Sequence, residues 1–457
     1  MSRVDPTAGR EQLLWGWGRT SPARSTVVAP ERVEQVIDVV RSVGPTGVVA
    51  RGLGRSYGDP AQNAGGVVLD GTSRSGLLEL DLARGIARIE AGTSLDDLMK
   101  WLVPLGWFVP VTPGTRIVTV GGAIASDVHG KNHHKKGSWG NHVLSLRLVD
   151  GRGEVRDLSP TEEPDLFWAT VGGMGLTGII LDATVQLQAV SSSRILVDSD
   201  RAADLDEVMA LMIDGDDDYD YSVAWIDVMA KGRRLGRSVL DRGRFATRDE
   251  VLAAGVHRPA DYAPHHLASV PDLFPSGLVN HLTVKAFNEL WFRKSPARRR
   301  DALMGIEHFF HPLDMVSDWN RVYGRRGFIQ WQYVVPDEAS DFVRYSLERI
   351  SGAGLPSFLS VLKRMGPGNA GHLSFPIAGW TLTIDIPVTA GLDELFDDLD
   401  RRVADLGGRL YLAKDSRMDP ALLAQMYPRL EEWREIRDKA DPQHRFRSDL
   451  GRRLGLV

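Results

Sequence analysis

The spacing of apolar residues predicts strands alternating with amphipathic helices in the first part of the chain. Apolar residues at positions 95, 98, 99 and 102 have the i, i+3, i+4, i+7 spacing of a helix, and Ser94 with Asp97 forms an N-terminal cap pattern. A second helix is predicted from Pro30 to about Ser42. Asp150-Gly151 separates two apolar runs, which is a hairpin signal. Strands are predicted at residues 47–51, 66–70, 86–91, 143–150, 153–158 and 178–187, and a short helix at residues 165–170.

The pattern changes after Ser191-Ser-Ser193, and glycine punctuation at Gly407-Gly408 predicts a second boundary. Beyond Arg409 the chain ends in helical spacing. The mixture predicts an α+β fold. Between the boundaries, strands are predicted at residues 221–228, 328–335 and 380–387 and helices at 339–350 and 392–406; after them, helical segments are predicted at 419–426 and 430–440.

The composition is that of a globular protein and excludes several kinds of chemistry. The chain has 457 residues, of which 43% are hydrophobic and 25% charged, and it has no cysteine, which excludes disulfides, iron–sulfur clusters, Cys-ligated zinc and thiol nucleophiles. It has 55 Lys and Arg against 60 Asp and Glu, and this net charge of −5 argues against a nucleic-acid binder.

No membrane or targeting segment is expected. Residues 1–12 have no apolar core of the signal-peptide kind, and the apolar stretch 101–111 is broken by two prolines and a glycine. The sequence therefore predicts a protein of the cytoplasm or of the periphery of the inner membrane, on either face.

Three glycine-rich segments precede residue 180: Arg51–Gly58, residues 113–130 and residues 172–178. A pyrophosphate needs several converging backbone N–H groups, and glycine permits both the close approach and the positive φ. Each segment alone is typical of a tight turn, but three in this order predict a site that encloses an extended dinucleotide without a helix terminus. The G-x-G-x-x-G at residues 173–178 does not favour a Rossmann site, because a short helix precedes it and a strand follows.

These segments resemble the FAD-binding domain of the vanillyl-alcohol-oxidase/p-cresol-methylhydroxylase flavoprotein superfamily. Shorter strings resemble a narrower family, the actinobacterial decaprenylphosphoryl-β-D-ribose 2′-oxidases, the flavin subunits of the decaprenylphosphoryl-ribose 2′-epimerase of cell-wall arabinan synthesis. The strings are Gly16-Trp-Gly-Arg-Thr20, Arg51-Gly-Leu-Gly-Arg-Ser-Tyr-Gly-Asp59, His129-Gly-Lys-Asn-His-His134, Phe310-His-Pro-Leu-Asp-Met315 and Ala413-Lys-Asp-Ser-Arg417.

The resemblance runs from about residue 13 to the end of the chain. It implies an FAD-binding domain of residues 1–192 plus 409–457, and a substrate-binding domain of residues 193–408 built on an antiparallel sheet. The FAD is expected to be noncovalent, because Arg55 occupies the place of the usual attachment histidine and the chain has no cysteine. The implied cofactor-binding residues are Arg51, Gly52, Leu53, Gly54, Arg55, Ser56, Gly114, Thr115, Thr119, Gly121, Gly122, Ala125, His129, Gly130, Asn132, Gly175, Gly178, Ile179, Tyr411 and Lys414.

Lys414, His129 and Tyr57 are the predicted catalytic residues. Lys414 follows an apolar strand, where a fixed cation would stabilise the negative charge of a reduced flavin. Spacing alone equally allows a solvated lysine, and the resemblance favours the functional role. His129 is expected to orient the substrate or help remove its hydroxyl proton, or else to be structural. Tyr57 follows the first glycine segment, so its hydroxyl is expected to face the flavin or the sugar.

Gln330 and Gln332 alternate on a predicted strand and share one face, with Trp331 and Tyr333 on the other. Two amides on one face suit a sugar, unless that face is solvent-exposed. His133 and His134 are further candidates for the substrate phosphate, and a zinc site is disfavoured. No metal is therefore expected. The predicted substrate-binding residues are Lys131, Gln330, Gln332, Lys363, Thr381, Thr383 and Trp225.

Thr381 and Thr383 depart from the mycobacterial relatives, which carry Asn and Cys at those positions. Asp385 shares the face of Thr383 and is expected to hydrogen-bond its hydroxyl. Residues 264–300 combine exposed-looking apolar residues with a basic run, which is typical of a loop that receives a lipid-linked substrate at a membrane surface, or of an ordinary packed insertion.

The expected reaction is FAD-dependent oxidation of the 2′-hydroxyl of decaprenylphosphoryl-β-D-ribose to the 2′-ketone, the first step of epimerisation to the arabinose form. The resemblance implies two partners: an NAD(P)H-dependent keto-reductase and an electron acceptor. The alternatives are a soluble alditol or aldonolactone oxidase of the same superfamily, and a flavin-less binding subunit that keeps the fold.

Overall fold

Helices and strands alternate through residues 9–457, which is the part of the chain that the computed structural model describes. The expectation that residues 1–12 contain no signal-peptide core concerns, in part, residues 1–8, which lie outside the described residues. The strands are β1 (Arg10–Leu14), β2 (Ala23–Val28), β3 (Val48–Arg51), β4 (Val67–Asp70), β5 (Leu77–Asp81), β6 (Ile86–Glu90), β7 (Trp107–Phe108), β8 (Val143–Val149), β9 (Val155–Leu158), β10 (Ile179–Gln186), β11 (Gln188–Ala189), β12 (Arg194–Ala202), β13 (Tyr221–Ile226), β14 (Ser238–Phe245), β15 (Ala268–Ser269), β16 (Arg298–Gly305), β17 (Val316–Ser317), β18 (Phe328–Val335), β19 (Ser360–Met365), β20 (Gly379–Pro387) and β21 (Arg409–Leu410).

The helices of the same part of the chain are short, and none is long and apolar enough to cross a bilayer. They are α1 (Val33–Ser42), α2 (Leu95–Leu102), α3 (Val120–Ala125), α4 (His133–Lys136), α5 (Pro164–Thr170), α6 (Leu205–Gly215), α7 (Arg248–Ala253), α8 (His281–Lys294), α9 (Ile306–Phe310), α10 (Asp341–Ala353), α11 (Leu392–Asp405), α12 (Leu423–Met426), α13 (Leu430–Ala440) and α14 (Asp449–Arg453).

Three larger sheets organise the molecule, and two short strand pairs, β7 with β11 and β15 with β17, accompany them. The first has the order β1-β2-β4-β3, with β2 and β3 both parallel to β4. The second is antiparallel, with the order β5-β6-β10-β8-β9. The third is an eight-stranded antiparallel sheet with the order β16-β12-β14-β13-β19-β20-β18-β21. This mixture of helices with largely antiparallel sheets confirms the predicted α+β class.

Periodicity located most of the strongly patterned elements. Helix α2 begins where it was predicted, with the Ser94 side chain accepting a hydrogen bond from the Asp97 backbone N–H. The hairpin β8–β9 turns at Asp150, and β18 and β20 lie within one residue of their predicted bounds. A helix precedes and a strand follows the glycines of residues 173–178, as expected.

Elements with buried charges were missed. Strand β12 lies inside the eight-stranded sheet, but it contains Asp200, which is buried and pairs with Arg242 and Arg300. Because of its polar residues, the sequence pattern did not indicate a buried strand there. Residues 293–300 were described only as basic, and they form the end of α8 and the start of β16. The second glycine segment was expected to work without a helix terminus, and it contains α3, which Thr119 caps by accepting from the Gly122 N–H.

The C-terminal tail joins two sheets. Leu410 pairs with Tyr333 in the eight-stranded sheet, whereas Phe446 forms a parallel bridge to Val48 in the first sheet. The domain boundaries proposed from the sequence stay predictions. The tail nevertheless connects the glycine segments to the larger sheet, and the candidate site lies along that connection.

Candidate active site

A cavity of about 930 Å³ runs from the three glycine segments to the face of the eight-stranded sheet. This volume is at the upper end for small-molecule sites. Of the predicted cofactor-binding residues, all but Asn132 line it, and so do Tyr57, Lys131, Trp225, Gln330, Gln332, Lys363 and Thr383. The structure thus brings together residues from the first glycine segment to the Ala413–Arg417 string.

Two glycines show why the cradle excludes side chains. A Cβ on Gly52 would lie 2.3 Å from Thr119 Oγ1, so the first and second glycine segments approach more closely than any other residue permits. Gly175 has φ +74° and open space beside it, a conformation that favours glycine. Backbone therefore forms this wall of the cavity, as a phosphate-binding loop requires.

Buried guanidinium groups line the same wall. Arg51 donates to the carbonyls of Ala61 and Trp15, and the Arg55 guanidinium stacks 3.9 Å from the centroid of a Trp17 ring. Burial lowers the pKa of both arginines from its ordinary value. Arg55 Nε and Arg74 Nη1 have no hydrogen-bond partner among the described residues. Unpaired buried donors beside a glycine cradle fit the anionic pyrophosphate of FAD.

Lys414 also lines the cavity, with its Nζ 4.0 Å from the centroid of the Tyr57 ring. Gln330 Nε2 donates to the Tyr57 hydroxyl at 2.9 Å and also to Asp385. Burial lowers the pKa of Lys414 to about 7 and raises that of Asp385 to about 7, while their mutual attraction favours the charged form of each. The ammonium group therefore lies over an aromatic face and within the electrostatic influence of a buried carboxylate.

The string around Lys414 is anchored on both sides. Asp415 pairs with Arg453 at 2.8 Å, and Arg417 pairs with Asp400 at 2.6 Å. The backbone N–H of Tyr57 donates to Ala413 O at 3.0 Å, which ties the string to the first glycine segment. These contacts leave the Lys414 backbone little freedom, so its ammonium group is preorganised.

His129 is buried, and its Nε2 lies 2.9 Å from Gln332 Nε2. The same amide nitrogen donates to Thr381 Oγ1 at 3.2 Å, so it is a donor to His129 as well, and the imidazole proton is on Nδ1. Burial and the nearby Lys363 keep the pKa of His129 well below 6.5. In this arrangement Nε2 is occupied, so the geometry favours an orienting role over proton removal.

Two further lysines supply buried positive charge. Burial lowers the pKa of Lys131 and of Lys363 to about 8 each, and Lys363 feels the repulsion of Lys131. Lys131 Nζ donates to Phe309 O and lies 4.3 Å from the centroid of that ring. Such a pair of cations lining one cavity fits an anionic substrate group such as a phosphate.

Several sequence expectations are corrected by these contacts. Thr381 and Asn132 do not line the cavity: Thr381 donates to Tyr333 O and accepts from Gln332, and Asn132 donates to Pro110 O. His133 is also off the cavity, and burial lowers its pKa to about 3, so it is no cation for a phosphate. His134 bonds the Tyr219 carbonyl. All four support neighbours that face the cavity or the loop behind it.

Gln330 and Gln332 lie on the face of β18 and β20 that lines the cavity, and not on a solvent-exposed face. Gln330 and Gln332 are buried and line the cavity, while Trp331 and Tyr333 pack into the core, so the solvent-exposed alternative is excluded. Thr383 lies opposite Gln332 across the strand pair and also lines the cavity. The expected bond from Thr383 to Asp385 is absent from the described residues, because Asp385 accepts from Gln330 instead.

Sequence reasoning missed Asp385 as a member of the site. Its strand position was visible, two residues after Thr383 and opposite Gln330, but its proximity to Lys414 depends on the returning tail. Phe287, Trp291, Met315 and Trp319 add apolar surface to the cavity lining, and the first two belong to the 264–300 segment that the sequence indicated. The site thus has charged, buried groups within and an apolar rim.

Comparison with known proteins shows which families and relatives this chain is similar to. The FAD binding domain family matches residues 25–159, and the D-arabinono-1,4-lactone oxidase family matches residues 383–454. The decaprenylphosphoryl-beta-D-ribose oxidase of Mycolicibacterium smegmatis is 46% identical over 449 residues, 97% of each chain. An uncharacterized Streptomyces coelicolor protein is 40% identical over 79% of this chain and 100% of its own. L-gulono-1,4-lactone dehydrogenase of Mycobacterium tuberculosis is 23% identical over 96% and 99%.

The glycine cradle, the unpaired arginine donors and the matched FAD domain define an FAD-dependent oxidoreductase of the vanillyl-alcohol-oxidase type. Within that class, the near full-length similarity to the M. smegmatis enzyme shows that the chain belongs to the decaprenylphosphoryl-β-D-ribose oxidase family.

Proposed function

We propose that this protein oxidises the 2′-hydroxyl of decaprenylphosphoryl-β-D-ribose to the 2′-ketone, the first step of epimerisation to decaprenylphosphoryl-arabinose. The observation that carries the proposal is the composition of the cavity. Its interior presents two amides and three buried lysines, which suit a sugar and its phosphate, and its rim is apolar, which suits a lipid chain. The family of the chain supports the same substrate class.

The alcohol must lose a hydride from C2′ and a proton from its oxygen. Bound FAD supplies the chemistry of accepting the hydride. Lys414, whose charged form the nearby Asp385 favours, would balance the negative charge that the reduced cofactor gains. Gln330, Gln332 and the Tyr57 hydroxyl bind and orient sugar hydroxyls, and His129 holds Gln332 in place through Nε2.

The phosphate of the substrate would be bound by Lys131 and Lys363. Both are buried and have few acidic neighbours, so an incoming dianion or diester would relieve the cost of their burial. Trp225, whose indole N–H donates to Phe358 O, and Thr383 complete the wall beside the sugar.

The FAD is proposed to be noncovalent. Arg55 stands at the place of the attachment histidine and is stacked on Trp17, and the sequence has no cysteine. Acid precipitation is expected to release all the flavin into the supernatant, as measured by its absorbance. Yellow colour retained in the washed pellet would contradict the proposal.

The proposed function also includes two partners and a location. The 2′-ketone requires a keto-reductase that uses NAD(P)H, and the reduced flavin requires an electron acceptor. The protein is proposed to act at the periphery of the membrane that holds its lipid-linked substrate, with no nucleic-acid partner.

A soluble alditol or aldonolactone oxidase is the alternative, and the match of residues 383–454 gives it some support. The two are separated by turnover of a synthetic polyprenylphosphoryl-ribose against ribose 5-phosphate, free pentitols and aldonolactones. The proposal predicts that only the lipid-linked sugar is oxidised efficiently, and that Lys363→Met raises KM for it far more than it lowers kcat. Efficient oxidation of free pentitols, with Lys363→Met neutral, would support the alternative. A purified protein that is colourless and binds no FAD would support the flavin-less subunit.

A further inference from the structure

Helix α8 presents its apolar residues to solvent. Its buried side chains are Val284 and Asn288, whereas Leu282 and Leu290 are 77% and 67% exposed. A surface helix ordinarily buries its apolar face and exposes its polar one. Here a polar amide is inside and two leucines are outside.

The orientation is held by specific polar contacts. Asn288 Nδ2 donates to Asp227 Oδ1 at 2.8 Å and to Ser357 O at 3.2 Å. Glu289 pairs with Arg237 at 2.7 Å, and the Arg237 guanidinium lies 4.7 Å from the Phe292 ring centroid. These contacts fix the helix with its leucines facing away from the protein.

Exposed leucines also occur in the segment that precedes the helix, and two aromatic residues of the helix reach the cavity. Leu267 and Leu273, in the segment that precedes α8, are 70% and 86% exposed, and with Leu282 and Leu290 they form what we call the leucine rim. Phe287 and Trp291, stacked at 6.2 Å on the same helix, line the cavity. A soluble surface rarely concentrates so many large apolar side chains without a partner.

Unbalanced positive charge borders the leucine rim. Lys285, Lys294 and Arg298 are exposed, and the acidic residues of the segment are already paired, Asp272 with Arg19 and Glu289 with Arg237. The partner of this surface is therefore both apolar and anionic. An interface of single leucines among cations has the composition of an interfacial membrane helix.

We propose that the leucine rim docks on an anionic lipid bilayer, with the leucines in the headgroup–acyl boundary and the lysines and arginines on lipid phosphates. This inference deepens the proposed function and rests on it for one point only, that a lipid-linked substrate then enters the cavity beside Phe287 and Trp291 without its chain crossing water. The docking itself requires only the surface described.

The test is co-sedimentation of the FAD-loaded protein with vesicles of equimolar phosphatidylglycerol and phosphatidylcholine, and with vesicles of phosphatidylcholine alone. The variants are Leu282→Gln/Leu290→Gln and Lys294→Gln/Arg298→Gln. The matched control is Leu105→Gln/Leu252→Gln, because these leucines are 51% and 42% exposed and lie elsewhere. Flavin content, the unfolding midpoint and the oligomeric state of each protein are measured in parallel.

We expect wild type and control to bind the anionic vesicles, and the rim variant to partition roughly 10–100-fold more weakly. The charge variant and added salt should weaken binding to anionic vesicles, and flavin content should not change. Binding that is absent, or equal in the rim variant, would overturn the docking. So would a wild-type dimer that the rim variant dissociates, since a second copy would then cover the leucines. Vesicle binding without turnover of the lipid-linked ribose would leave the docking standing and refute the proposed function.

Discussion

Lys414 and helix α8 border the same cavity and are built in opposite ways. Around Lys414, charged side chains are buried and anchored by ion pairs such as Asp415–Arg453 and Arg417–Asp400. On α8, only Val284 and Asn288 are buried, and the leucines face solvent. The contrast separates two tasks: charge stabilisation needs a group fixed in a dry site, whereas uptake of a lipid chain needs apolar surface at the exit of that site.

The largest expected effect is at Lys414. Lys414→Ala removes the cation that lies over the Tyr57 ring. A preorganised charge at a developing anion contributes about 3–4 kcal/mol, so we expect kcat to fall by about 10²–10³-fold, and FAD to bind more weakly. Steady-state turnover and flavin absorbance measure both. Near wild-type turnover with full flavin content would refute the assignment.

The next largest effect is expected at Arg453, which anchors the string around Lys414. Arg453 pairs with both Asp59 and Asp415, whose side chains are mostly buried. Arg453→Met leaves two carboxylates without their cation, so we expect the free energy of unfolding to fall by about 2–3 kcal/mol. The control is Arg84→Met, whose pair with Asp81 is exposed to solvent and screened by it, so its loss should change the free energy of unfolding far less. Denaturant unfolding of both FAD-loaded variants compares them, and equal losses would contradict the anchoring.

Asp385 is expected to set the pH dependence. Its negative charge raises the pKa of Lys414 against the larger effect of burial, which lowers that pKa to about 7. Lys414 is charged below its pKa, so activity that needs the cation falls as pH rises through that value. Asp385→Asn removes the attraction and lowers the pKa of Lys414 further, which shifts the alkaline limb of the kcat profile to lower pH. A limb that stays in place, or moves to higher pH, would show that Asp385 does not act through Lys414.

The smallest effect is predicted for Thr383. Its hydroxyl lines the cavity but has no base beside it, since Asp385 accepts from Gln330. Thr383→Ala should keep turnover within about fivefold of wild type, because a neutral hydroxyl is worth about 1 kcal/mol or less here. Thr383→Cys should remain active and become sensitive to thiol-directed ligands of the cavity. Inactivity of Thr383→Ala comparable to that of Lys414→Ala would reveal a catalytic role.

The same contrast shows what the sequence could predict. The alternation of β18 placed Gln330 and Gln332 on one face, and the glycine segments indicated the cofactor cavity, because both depend on local periodicity and backbone conformation. Thr381 shares the strand face of Thr383, but its hydroxyl is engaged by Gln332 Nε2 and Tyr333 O, which strand alternation does not predict. The proximity of Asp385 to Lys414 could not be predicted, because it depends on the returning C-terminal tail. The outward orientation of the α8 leucines could not be predicted either, because it depends on the contacts of Asn288 with residues distant in sequence.

Anaerobic reduction of the bound FAD by a polyprenylphosphoryl-ribose tests the account most directly. One equivalent of the lipid-linked sugar should bleach the flavin absorbance of the wild-type protein and yield one equivalent of the 2′-ketone, and Lys414→Ala loaded with FAD should bleach far more slowly. Ribose 5-phosphate and free pentitols should leave the flavin oxidised. Bleaching by free pentitols but not by the lipid-linked ribose, or a ketone at another carbon, would contradict the account.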